Sequence, residues 1–169
     1  FTSLSDENAL AQWALLKEKL RTAGYIQYEI SNFCRPKFES KHNGNYWKEV
    51  QYIGLGPSAH SFNGSQRSWN ISNNSKYIEA LKNGTTYQTT EELTSKDKIN
   101  EHIMTRLRTI WGIDLIFLKN SLNYDLVKSQ NHMIKTHLKK NQILISNDKI
   151  TLTNKGQQFA DQIALDLFI

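Results

Sequence analysis

The sequence predicts an α+β fold in two units, a helix and strand unit followed by a mostly helical, winged-helix-like one. Three observations carry that reading. Gly24 separates a stretch with helical apolar spacing from a run rich in aromatic and β-branched residues. A polar, Thr-rich stretch at 85–94 holds no period and marks a boundary, giving domains at 1–88 and 89–169. Beyond it the apolar period changes from 3.6 to 2 near residue 143, as a helical bundle closing on a hairpin requires.

Taken in order, 5–23 is expected as an amphipathic helix. Ser5 is its N-cap, Asp6 and Glu7 sit in the positive first turn, Leu10, Trp13, Leu16 and Leu20 face inward, and Gly24 is the stop. A strand at 25–30 follows at once. Residues 32–74 keep no sustained period apart from a strand-like piece at 52–55, and so long an irregular stretch more often carries function than idles. A helix at about 75–83 stops at Gly84. In the second unit Thr94 and Asp97 open a capping-box helix whose stripe is Ile99, Ile103, Leu107 and Ile110, ended by Gly112. A short helix near 114–120 and one longer helix at 123–140 come next, the longer with Leu126, Val127, Met133, Ile134 and Leu138 inward. A hairpin turns at Asn147-Asp148, and Thr153 caps a last helix bearing Phe159, Ile163 and Leu167.

Composition limits the chemistry. The 169 residues carry 21 Lys plus Arg against 16 Asp plus Glu, a net charge of +5, and a single cysteine, Cys34. One cysteine excludes an internal disulfide and any cluster or zinc site built only from cysteines of this chain, and fits a reduced, cytoplasmic setting. No apolar run approaches the length of a membrane span, and no signal peptide is evident. The chain opens on Phe1, with methionines only at Met104 and Met133, and so reads as a piece of something longer. The stretch between Asp125 and Asp148 is free of acids and holds Lys128, Lys135, Lys139 and Lys140, which a solvated helix face explains better than a nucleic-acid patch.

The densest set of chemically able residues lies between Tyr28 and Phe62. It runs through Tyr28-Glu29-Ile30-Ser31-Asn32-Phe33 at a strand end, His42-Asn43-Gly44-Asn45-Tyr46-Trp47, and Gly54-Leu55-Gly56-Pro57-Ser58-Ala59-His60-Ser61. An imidazole, a phenol and an indole within six residues suit a planar aromatic ligand, while a solvent-facing histidine beside two core aromatics explains them as well. Gly54 and Gly56 read as a tight turn better than as a phosphate loop, since the third glycine of a dinucleotide motif is missing. His60 follows a strand-like piece and is a second candidate. His102 reads as packed, His132 and His137 fall on different sides of a helix, and Cys34 beside Arg35 reads as an inert thiol rather than an activated one.

At these residues the chain resembles the radical S-adenosylmethionine proteins related to oxygen-independent coproporphyrinogen III oxidase. The run from Tyr28 to Phe33, the HNxxYW pattern at His42 to Trp47, Gly54-Leu55-Gly56 with Ala59-His60-Ser61, Leu107-Arg108 with Gly112-Ile113, and Leu152-Thr153 with Gly156 occur in that family's order. HNxxYW is similar to the HemW-type heme-chaperone branch. The resemblance implies that 1–88 is the C-terminal part of a partial (β/α)6 barrel, whose [4Fe–4S] cluster and S-adenosylmethionine belong to a CxxxCxxC segment not in this sequence. It implies heme contact at His42, Asn43, Tyr46 and Trp47, with Glu29, Asn32, Gly54, Gly56 and His60 facing cofactor or substrate. A hemoprotein client would receive the heme, and the fragment alone would bind rather than catalyse.

Two other functions stay open. In the first, the parent is an oxygen-independent coproporphyrinogen III dehydrogenase, decarboxylating its substrate to protoporphyrinogen IX. In the second, 89–169 is a winged-helix module for nucleic acid or protein. Nucleic acid is the less favoured partner, because Arg106 and Arg108, the only arginines there, fall on the first helix rather than the reading helix.

Overall fold

A computed structural model describes residues 5–169, so Phe1 and the opening of the first expected domain lie outside the described residues, as does the side chain of Asp6. The first helix, α1 (Asp6–Thr22), starts where the Ser5 hydroxyl accepts the Asn8 N–H. Its expected inward face is only partly covered, with Leu10 and Leu16 exposed. Two short antiparallel strands follow, β1 (Ile26–Glu29) and β2 (Asn32–Cys34), and then the seven-residue α2 (Lys41–Trp47).

Strands β3 (His60–Phe62), β4 (Gln66–Asn70) and β5 (Gln88–Glu92) form an antiparallel sheet in that order, with α3 (Asn74–Asn83) between the last two. Gly84 ends α3 in the left-handed region, where glycine costs least. The expected strand at 52–55 reduces to one bridge between Tyr52 and Phe62. Past that bridge the Gly54 amide donates to the Ser61 hydroxyl instead of a strand carbonyl, and Ile53 and Leu55 are left 84% and 86% exposed. The polar stretch at 85–94 is not irregular either, because β5 carries the sheet through it.

The second half holds the core. Helix α4 (Ser95–Leu107) begins with the expected capping box, Thr94 and Asp97 exchanging backbone and side-chain bonds. Ile99, Ile103 and Leu107 are buried as expected, but α4 ends at Leu107, so Ile110 is exposed and gives its N–H to the Tyr28 carbonyl. Next come β6 (Ile113–Asp114) and α5 (Leu115–Ser121). The expected single helix at 123–140 is two, α6 (Leu126–Ser129) and α7 (Asn131–Lys139). The break falls at Gln130, whose side-chain amide reaches the Phe168 carbonyl at 2.8 Å, and Leu138 is exposed as a result of the new phase.

Strands β7 (Ile143–Ser146) and β8 (Lys149–Leu152) form the expected hairpin, and β6 completes its sheet beside β8. Asn147 and Asp148 both take positive φ, as the two-residue turn demands. Thr153 accepts the Gly156 N–H, but the first turn, Gly156–Phe159, is a 3₁₀ turn and α8 (Ala160–Leu167) starts only after it, leaving Phe159 exposed. A methyl group at Gly156 would stand 1.8 Å from the Gln142 carbonyl oxygen, so only glycine lets the turn pack on the hairpin. Ile103, Leu107, Ile113, Leu118, Ile143, Ile150, Ile163 and Leu167 close one core, at about 1.5–3 kcal/mol for each side chain buried.

The two halves are joined by backbone and by charge. Ile30 donates to the Arg108 carbonyl, and Glu29 faces Thr109 across an antiparallel bridge. At this seam the Glu29 side chain, 1% exposed, accepts the Arg108 Nε at 3.1 Å, and Arg108 Nη1 reaches Asp161 on α8 at 2.7 Å. His137, one of two histidines with no assigned partner in the sequence, is buried between Gln142 and Asp166, which ties α7 to α8. Cys34 is buried, and burial together with the Glu39 charge pushes its thiol pKa up, as expected of an inert thiol. No helix among the described residues is long and apolar enough to cross a membrane.

Removing one partner of the seam leaves a buried charge uncompensated. Arg108→Met is expected to cost about 3 kcal/mol in urea unfolding, and a loss near zero would show that Glu29 needs no cation. The capping box predicts a pH effect. The Thr94 hydroxyl and N–H hold the Asp97 carboxyl below its usual range, so its contribution is present above the unfolded pKa and lost as pH falls through the folded one. The melting temperature of Asp97→Asn is therefore expected to lie below that of the parent at pH 7 and to converge on it below about pH 4.

Candidate functional site

Helix α2 carries the HNxxYW residues, and its periodicity divides them. Ser40 caps the helix by accepting the Asn43 N–H at 3.2 Å, which fixes its start. His42 and Tyr46 then lie one turn apart on the exposed side, their rings edge to face at 5.1 Å. Asn43 and Trp47 form the next pair round the helix and turn inward. Asn43 donates to the Asn32 carboxamide oxygen at 3.2 Å, and the Trp47 indole N–H is buried with no partner among the described residues. Gly44 is buried beside them, although a methyl group there would meet open space.

The strand-end residues support this helix. Glu29 accepts from the Ser31 N–H at 2.8 Å and from the Asn32 amide at 2.5 Å, in addition to Arg108. Asn32 is thus held in one orientation, giving its N–H to Glu29 and its oxygen to Asn43. A line of side-chain bonds runs from Asp161 through Arg108, Glu29 and Asn32 to Asn43. Glu29 and Asn32, expected at a ligand face, both lie in this line.

Gly54, Gly56 and His60 are placed apart from α2. A methyl group at Gly54 would come within 2.1 Å of the His60 carbonyl oxygen, so the glycine permits a backbone crossing. Gly56 accepts from the Asn70 amide at 2.8 Å and receives the Gly54–Gly56 turn's second tie when its own N–H donates to the Tyr77 hydroxyl at 3.3 Å. His60 is exposed, with its ring tilted against Trp69 at 6.2 Å. Arg35, next to Cys34, lies over the Tyr25 ring rather than serving the thiol.

Between α2, the β3–β4 edge and α4 the structure opens a cleft of about 370 Å³. Tyr46, Trp47, Tyr52 and Phe62 give it aromatic walls, Tyr46 and Tyr52 packing edge to face at 5.0 Å. Glu49, Arg67 and Glu101 are its charged members, and Arg67 bonds to Glu101 at 2.5 Å. Glu49, just past α2 at a φ of +57°, accepts from His102 Nδ1 at 2.9 Å. Burial pushes the Tyr52 phenol pKa up. Phe62 closes the dense stretch read from the sequence, whereas Tyr52, Arg67, Glu49 and Glu101 were not singled out as site residues, and only the Tyr52 strand signal pointed near them. Among the described residues no group of three His, Cys, Asp or Glu is placed to hold a metal ion.

No family model matches the chain. It is 29% identical over 158 residues to the heme chaperone HemW of Bacillus subtilis, covering 93% of this chain and 42% of that protein. The heme chaperone HemW of Lactococcus lactis is 31% identical over 161 residues, 94% of this chain and 41% of its own. A mouse mitochondrial protein named radical S-adenosyl methionine domain-containing protein 1 is 56% identical over 41 residues, 24% of this chain and 9% of its own. Among solved structures, the coproporphyrinogen III oxidase HemN of Escherichia coli, described as a radical SAM enzyme, superposes with a TM-score of 0.73 at 16% identity, over 98% of this chain and 42% of that one. The expected fold is therefore that of part of HemN, and the chain spans about two fifths of the length of the relatives it matches. With its separated motifs on this fold and its similarity to HemW running over nearly the whole sequence, the chain belongs to the family of HemW and its radical SAM relatives.

Proposed function

We propose that this chain is the heme-holding part of a HemW-type chaperone, which binds heme for delivery to a hemoprotein in the cytoplasm. The observation that carries the reading is the exposed pair on α2, His42 with Tyr46 edge to face at 5.1 Å. The donor set suits the group. An exposed imidazole is a heme-iron ligand, a phenol one turn away supplies a hydrogen bond or a second ligand, and aromatic rings pack on a porphyrin face. In this proposal His42 holds the iron, Tyr46 stands beside it, Trp47 packs at the porphyrin edge, and Asn43 anchors the helix through Asn32.

Bound heme would supply the cargo itself, an iron porphyrin to be passed on. The chain's own residues keep α2 rigid beneath it. Rigidity matters because a seven-residue helix has little intrinsic stability and takes it from packing. We further propose two units divided close to the expected 88/89 boundary but after β5, which pairs with β4 of the first unit, and a single core formed wholly from residues beyond 93 supports this.

The iron–sulfur cluster of the radical SAM family does not fit the residues present here, since one buried cysteine cannot make a cluster site. The cluster, and S-adenosylmethionine with it, would then be held by a part of the parent protein other than these residues.

Titrating hemin into the 169-residue chain is expected to give a saturating Soret shift. His42→Ala should move the band and weaken binding by about tenfold or more, equivalent to about 1.4 kcal/mol. An unchanged Soret position and affinity in His42→Ala would remove His42 from the role.

A further inference from the structure

The aromatic cleft beside α2 has a charge pattern that does not suit heme. Of its three charged members, Arg67 and Glu101 neutralise each other in a direct ion pair. Among the described residues Glu49 has only His102. The Asp114 N–H donates to His102 Nε2 at 3.3 Å, so Nε2 serves as an acceptor and the proton sits on Nδ1, where it bonds to Glu49. The Phe117 ring stacks on the same imidazole at 4.7 Å and closes it off from other partners. A neutral donor leaves the carboxylate its charge. Lys48, adjacent in the chain, does not cancel it, because its ammonium lies over the Trp111 ring at 5.5 Å and is not among the cleft walls.

The cleft therefore presents one net negative charge among Tyr46, Trp47, Tyr52 and Phe62. Aromatic faces with a nearby carboxylate attract cations that are themselves apolar on the outside, since such ions lose little hydration on entering. A volume of about 370 Å³ is at the small end of ligand sites and too confined for a macrocycle bearing carboxylates.

We propose that this cleft binds a small alkylammonium ion, the cation set against Glu49 and its methyl groups on the aromatic walls. The site differs from the exposed His42 face in its charge and its ligand but shares Tyr46 and Trp47 with it, and it does not depend on heme binding there.

The probe is choline, compared with 3,3-dimethyl-1-butanol, which has the same shape without the charge. Both are titrated into the 169-residue chain at constant ionic strength, following the Trp47 indole N–H resonance. Choline is expected to shift that resonance saturably, and the alcohol to bind about tenfold more weakly. Glu49→Gln keeps an oxygen for the His102 N–H and so keeps the fold, but should abolish the preference for the charged probe. Tyr52→Leu should weaken choline by about fivefold while the melting temperature reports the fold. Equal binding of choline and the alcohol, unchanged discrimination in Glu49→Gln, or no saturation by choline below about 100 mM each overturns the proposal.

Discussion

The buried carboxylate of Glu29 organises the middle of this protein. A carboxylate taken out of water loses several kcal/mol of hydration and survives as an ion only where donors replace that water. Here a backbone N–H, a carboxamide and a guanidinium do so, and they come from three places: the turn after β1, the start of β2 and the end of α4. Satisfying one charge thereby fixes the separation of the two halves. Arg108 serves Glu29 from just past the end of α4 at Leu107, and its Nη1 is then turned toward α8.

The same logic accounts for the stiffness of α2. Seven residues cannot hold a helix by backbone bonds alone, and the sequence has no acidic residue in the first turn to help. The helix is instead held at both ends. Asn43 leans on Asn32 and so on Glu29 at one end, and Glu49 is held by His102 of α4 at the other. Both anchors reach into the second half, so the exposed ring pair on α2 rests on a core formed far along the chain.

Local signals in the sequence were sufficient where local chemistry decides the outcome. Thr94 with Asp97, Gly84, and Asn147-Asp148 each specify a cap or a turn within four residues, and the structure has all three. Long-range partners had no such signature. His137 meets Asp166 and His102 meets Glu49 across separations of 29 and 53 residues, and nothing in the intervening sequence encodes that approach. The break at Gln130 was equally hidden, because it depends on a carbonyl at Phe168. The β3–β5 sheet was missed for a different reason: its strands are short, largely polar and half-exposed, so the alternation that betrays a strand is weak.

The six-residue motif at His42 to Trp47 shows how a linear pattern divides on folding. Four positions chosen together in sequence belong to two faces, because a helix places i with i+4 and turns i+1 aside by about 100°. His42 and Tyr46 are left free for a ligand, while Asn43 and Trp47 are drawn into the body of the protein. Trp47 then stands between two environments, the helix's outer surface and a negatively charged aromatic cleft. The anionic macrocycle and the small cation proposed above would take different sides of one short helix, because Glu49, bonded to His102, lies on the cleft side.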